Sequence, residues 1–94
     1  MTEAIANQIY DVLLTYCGRG PFSSYTNRES FVREFTAANH TREWRFIGNL
    51  GFGGKFWDNG GKYYVSCYPE DETPERVRTI ATVNAELAKI KAKE

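Results

Sequence analysis

Between Trp44 and Tyr68, eight of 25 residues are aromatic, and the chain alternates rather than repeating every three or four positions. A period of two belongs to strands, because successive side chains leave a strand on opposite faces. Trp44 and Phe46 alternate with Glu43 and Arg45. Further on, Asp58-Asn59-Gly60-Gly61 separates the run Phe52 to Trp57 from the run Lys62 to Tyr68. Asn and Gly accept the positive φ angles of tight hairpin turns, so a hairpin turning at Asp58 to Gly61 is expected. In its second strand Tyr63, Val65 and Cys67 share one face, while Tyr64, Ser66 and Tyr68 share the other. The first set has the composition of a core, and Phe46 is expected to join it. Lys55 and Trp57 alternate with Phe56, which puts them with Tyr64 and Tyr68 on the outward face.

The flanks of this segment switch to helical spacing. Ile5, Ile9, Val12, Leu13 and Tyr16 fall on one face of a first helix, with Thr2 as its cap, Glu3 at its positive end and Gly18 to stop it. Gly18-Arg19-Gly20-Pro21 breaks regular structure. Thr26-Asn27-Arg28-Glu29 matches a capping box, which predicts a short second helix from Thr26 with Phe31, Phe35 and Ala38 inside. Phe22 to Tyr25 and Phe31-Val32 are also compatible with extended chain. The last helix has Thr73 as cap and Pro74 at its first position, where a missing N–H costs nothing. Glu70, Asp71, Glu72 and Glu75 crowd its positive end, and Lys89, Lys91 and Lys93 its negative end. Val77, Ile80, Ala81, Asn84, Leu87 and Ala88 give its inward stripe. The expected fold is α+β: a small antiparallel three-stranded sheet packed with helices, in the order α-α-β-β-β-α.

At 94 residues the chain is expected to form a single domain, residues 1–94. Twelve Lys and Arg balance twelve Asp and Glu, which argues against a polybasic nucleic-acid arm or an acidic tail. A mild excess of positive charge lies in residues 19–62, with seven cations against four anions. No run approaches the ~18 consecutive apolar residues of a membrane span. The absence of early Lys or Arg speaks against a signal or transit peptide. Two cysteines, Cys17 and Cys67, are too few for a disulfide scaffold and read as reduced structural thiols, hence a cytoplasmic protein.

Motifs for catalysis fail in turn. His40 is the only histidine, and no CxxC or HExxH spacing offers metal ligands. Nothing in the sequence brings His40 to either cysteine as a nucleophile pair. The acidic run Glu70-Asp71-Glu72 is accounted for by the helix dipole, and its neighbouring side chains diverge too much for a paired-carboxylate mechanism. Gly48 to Phe56 has the texture of a phosphate loop, yet Asn49 stands where Gly is required and Phe56 where Ser or Thr is required. A dinucleotide fingerprint starting at Gly51 needs Gly at Phe56 and a following helix. No catalytic residue, cofactor or metal is therefore expected.

The surface offers more. Helices covering one face of a sheet leave the other face exposed, and Trp, Tyr and Arg together have the composition of interface hot spots. Arg45, Lys55, Trp57, Lys62, Tyr64 and Tyr68 are the expected partner-binding residues. A second helix, or a partner subunit in a homodimer, is the alternative cover for that face. Leu50-Gly51-Phe52-Gly53-Gly54-Lys55-Phe56 also has the texture of single-strand RNA-binding sheets. Against this, the element order differs from the RNA-recognition fold and the net charge is zero. The glycines are equally at home in a bulge.

Trp44-Arg45-Phe46, Leu50 to Phe56, and Tyr64-Val65-Ser66-Cys67-Tyr68-Pro69-Glu70-Asp71-Glu72-Thr73-Pro74-Glu75-Arg76 resemble small proteins encoded by bacteriophages and prophages. The resemblance covers roughly the C-terminal half and carries over no activity residue by residue. It implies a context: phage proteins of this size often bind a host protein, including defence components such as CRISPR effectors. The expected function is a non-enzymatic protein-binding module that modulates a host complex. The alternative is a single-stranded nucleic-acid binder using the same face.

Overall fold

Three short antiparallel strands are joined as a meander, β1 (Arg45–Asn49), β2 (Lys55–Asp58) and β3 (Tyr63–Ser66), in the spatial order β1-β2-β3. They follow α1 (Glu3–Cys17) and α2 (Arg28–Ala37) and precede α3 (Pro74–Ala92), an α+β fold in the expected order. The computed structural model describes residues 3–18, 22, 27–37, 45–50, 54–58, 62–67, 70 and 72–92. Expectations about Thr2, Arg19 to Pro21, Thr26, Ala38, His40, Glu43, Trp44, Gly51 to Gly53, Asn59 to Gly61, Tyr68, Asp71 and Lys93 fall outside the described residues.

Alternation sorts the hairpin as its sequence requires. Phe56, Tyr63 and Val65 are buried, whereas Lys55, Trp57 and Ser66 are half-buried and Tyr64 is exposed. The inner face meets an aromatic cluster brought by the helices and by Phe22. Phe22 and Phe31 stack at 4.6 Å, and Phe31 and Phe35 stack at 5.2 Å. Phe56 lies 5.9 Å from Phe22 and 6.1 Å from Phe35, and Tyr63 lies 6.1 Å from Phe35. These offset and tilted separations lie in the range where ring pairs attract beyond simple burial. Much of the chain's aromatic content thus belongs to the core.

Local chemistry explains the helix ends. Thr73 caps α3, its Oγ1 accepting the Arg76 N–H at 3.1 Å. At the start of α2 Asn27 acts as a cap, its side-chain oxygen accepting the Ser30 N–H at 2.8 Å. Gly18 follows α1 at φ +93°, a conformation that L side chains rarely adopt. Phe22 forms an isolated antiparallel bridge with Leu50, while Phe31 and Val32 are helical. The two compatible readings of that region therefore hold for different residues.

Three expectations need correction, and the sheet register holds an irregularity that the sequence pattern does not show. Asp58 is not part of the turn; it is the last residue of β2, paired with Tyr63 and buried on the side of Phe56. The register between β1 and β2 shifts between Phe46 and Gly48, so Phe46 pairs with Trp57, and Gly48 takes the place opposite Phe56. A bulge adds one residue to a strand and flips the alternation beyond it. The Phe46 side chain, expected in the core, lies outside the described residues. In α1 the buried residues are Ala6, Ile9, Tyr10 and Leu13, and Tyr16 is exposed. In α3 they are Val83, Leu87 and Ile90, with Val77, Ala81 and Ala88 exposed. Both helices are rotated from the expected stripe, with Ile5 and Val12 of α1 and Ile80 of α3 left partly buried at the margin of the core.

Asn84 fixes α3 against β3. Its amide nitrogen donates to the Val65 carbonyl at 3.1 Å, and its side-chain oxygen accepts the Val65 N–H at 2.7 Å. These are the main-chain groups that an added strand would otherwise engage. One carboxamide satisfies both and closes that part of the sheet edge.

Candidate functional site: an aromatic sheet face and its adjoining groove

The outward face of the hairpin is built by register. Trp57 lies directly opposite Tyr64, and Lys55 opposite Ser66. The Trp57 indole N–H donates to Ser66 Oγ at 3.0 Å, holding the ring across the strand pair. The Lys62 ammonium sits 5.1 Å from the centre of the Tyr64 ring, within cation–π range. Lys55 Nζ donates to Asn49 Oδ1 at 3.1 Å, which ties β2 to β1 beside the same face. Four of the six expected binding residues, Lys55, Trp57, Lys62 and Tyr64, are therefore clustered. Arg45 begins β1 and pairs with Asp58, but its side chain and all of Tyr68 lie outside the described residues.

This face continues into a groove the sequence does not announce. Between β3 and the first turns of α3 lies a depression of about 300 Å³ lined by Tyr64, Ser66, Cys67, Glu72, Val77 and Ile80, with Ala81 and Asn84 completing it. Tyr64 is 37% exposed and Val77 48%, so two of the largest exposed apolar side chains stand on its walls. Val77 reads from sequence as core. What brings it to the surface is the rotation of α3, whose buried line runs through Val83, Leu87 and Ile90. The available signal was Asn84: a carboxamide amid an apolar stripe marks where the helix meets main-chain polar groups.

Two other depressions, of about 410 and 590 Å³, lie away from this face. One is lined by Tyr16, Cys17, Thr73, Glu75, Arg76 and Thr79. Burial pushes the Cys17 thiol from 9.0 up to about 11, so it stays protonated and weakly nucleophilic at neutral pH. The other is walled by Arg28, Asn7 and Glu29. There Arg28 is engaged in structure: it bridges Asp11, donates to Asn7 and lies 4.7 Å over the Tyr10 ring, joining α2 to α1. Neither cysteine is in a disulfide. Among the described residues no group of three His, Cys, Asp or Glu side chains is placed to hold a metal ion. Among them, too, no helix is long and apolar enough to cross a membrane.

Comparison with protein-family models, with curated proteins and with solved structures finds no match to this chain. Function has to be argued from the face and the groove themselves.

Proposed function

We propose that this chain is a non-enzymatic protein-binding module whose contact surface is the outward face of β2 and β3 together with the groove beside α3. The carrying observation is Tyr64. It is exposed on the edge strand β3, opposite an indole already fixed by a hydrogen bond, and it lines the groove beside α3. A pre-positioned Trp and Tyr lose little side-chain entropy on binding, which is why such residues dominate interface energetics. We propose, from the sequence resemblance alone, that the biological setting is that of a phage or prophage protein. In that setting the module modulates or inhibits a host defence complex, such as a CRISPR effector, in the host-cell cytoplasm.

A second reading, single-stranded nucleic-acid binding, draws on the same Tyr64 with Lys62 over its ring and Lys55 nearby. Salt separates the two. Affinity for a phosphate backbone falls steeply with ionic strength, while an aromatic protein interface responds weakly.

The test is capture from nuclease-treated bacterial lysate by the immobilised parent, Tyr64→Ala and Trp57→Ala. Quantitative mass spectrometry at low and high salt is the readout. A protein or complex retained by the parent at both salt levels, and reduced about 30-fold by either variant, supports the proposal; that loss corresponds to hot spots of about 2 kcal/mol. A folded Tyr64→Ala protein that captures the same set as the parent contradicts it.

A further inference from the structure

The outward face of the hairpin carries charge of one sign. Lys62, immediately before β3, is exposed, and its ammonium stands 5.1 Å from the centre of the Tyr64 ring. At the other end of the face Lys55, opposite Ser66, reaches Asn49 Oδ1. Trp57 and Tyr64 lie between the two lysines, side by side across the strand pair. The acid of this hairpin, Asp58, is buried on the inner side with Phe56. Among the described residues, the outward set Lys55, Trp57, Lys62, Tyr64 and Ser66 therefore holds two cations and no anion. Glu72 lies beyond it, in the lining of the groove that Tyr64 and Ser66 share, and bounds the positive area on the α3 side. From Lys62 to Ser66 the chain advances four residues, ~13 Å at ~3.3 Å per residue of strand.

Resting on the protein-binding reading above, we infer that this face takes an extended acidic segment of a partner protein. The segment offers one acidic side chain to Lys62, an apolar one to the Trp57 and Tyr64 pair, and a second acidic one to Lys55, at positions i, i+2 and i+4. Charge complementarity selects the acids, and the strand period selects their spacing. Every second residue of an extended chain points the same way, so i and i+4 span the same ~13 Å. A nucleic-acid strand fits this face less well. Its bases bind by stacking on aromatic rings, and a base stacking on the side of Tyr64 where the Lys62 ammonium stands would displace it. A carboxylate meets that ammonium where it stands and leaves the cation–π contact in place. A nucleic-acid strand also carries a phosphate at every nucleotide, and one running past Tyr64 toward α3 meets Glu72. Exposed ion pairs add little affinity but fix register and partner choice, which leaves Trp57 and Tyr64 as the anchors.

The experiment is selection of a displayed random dodecapeptide library on the immobilised parent, with parallel selections on Lys62→Glu, Lys55→Gln and Tyr64→Ala. Lys62 and Tyr64 are exposed, Lys55→Gln keeps an amide donor for Asn49, and circular dichroism verifies that each variant folds. The parent should enrich peptides with two acids four residues apart and an apolar residue midway. Lys62→Glu should turn the preference at one flank from acid to base, changing the enrichment ratio at least tenfold, and Lys55→Gln should remove the preference at the other. Tyr64→Ala should lose these peptides. Peptides lost on Tyr64→Ala but without the paired acids, or with acidic preferences unmoved by Lys62→Glu, overturn the inferred segment while leaving the binding face intact. Peptides indifferent to Tyr64→Ala overturn both readings. Three further results overturn the inference: no enrichment on the parent, self-association abolished by Tyr64→Ala, or tighter binding of a thymidine oligonucleotide than of any selected peptide.

Discussion

Removing the Asn84 carboxamide is the sharpest structural perturbation available, because one side chain serves two main-chain groups. Val65 is fully buried, and its N–H and C=O are held at 2.7 and 3.1 Å. In Asn84→Ala both lose their partner. A buried polar group left unsatisfied costs about 1–3 kcal/mol. Because Asn84 lines the open groove, water can reach the vacated position and moves each cost to the low end. Alanine also recovers about 0.6 kcal/mol of helix propensity. The net loss is about 1.5–3 kcal/mol, against the ~5–15 kcal/mol that a domain of this kind has in total. At about 4–8 °C per kcal/mol, melting should fall by roughly 6–24 °C. Asn84→Asp keeps the acceptor for the Val65 N–H but sets carboxylate against the Val65 carbonyl, so it should melt no higher than Asn84→Ala. The assay is thermal melting by circular dichroism beside amide exchange of Val65, which should lose protection in Asn84→Ala and keep more of it in Asn84→Asp. A melting temperature within 2 °C of the parent and unchanged Val65 protection would refute the clamp.

Other consequences can be checked on the same footing. Val65→Ala should cost about 2 kcal/mol by opening a cavity against the aromatic cluster, whereas Tyr64→Ala should stay within about 0.5 kcal/mol, as thermal melts of the two would show. Gly18→Ala should lower stability by about 1 kcal/mol, because φ +93° strains any Cβ although space is open there. The same melts carried from pH 8 to 11 should show Cys17 destabilising the fold. An unfolded thiol ionises near 9 while the folded one holds its proton to about 11, so stability is unaffected below 9 and falls as pH rises between the two values. Cys17→Ser should flatten that part of the profile.

How legible the chain was depended on how local each signal is. The cap at Thr73-Pro74 and the stop at Gly18 are fixed by neighbouring atoms, and both are where the sequence puts them. The faces of β2 and β3 follow from strict alternation, so Lys55, Trp57 and Tyr64 could be grouped without coordinates. Helix rotation is different. In α3 the stripe from Val77 through Ala88 and the stripe through Val83 and Ile90 share Ile80 and Leu87. They differ by roughly a quarter turn. Only packing against β3, where Asn84 must meet Val65, chooses between them. The bulge between Phe46 and Gly48 is likewise invisible to a period-two reading, since one extra residue inverts the faces on one side of it. The groove is illegible in the sequence for the same reason, as it exists only once Val77 is turned outward.

The central claim is that Tyr64 meets a partner protein. Replacing Tyr64 with photoreactive p-benzoylphenylalanine, and Leu14 likewise as an exposed position on α1, allows direct cross-linking in a bacterial lysate. A discrete heterologous protein adduct at position 64 and not at position 14, unchanged by nuclease, is the expected result. The same adducts from both positions, or products at position 64 limited to nucleic acid or to a second copy of this chain, would contradict it.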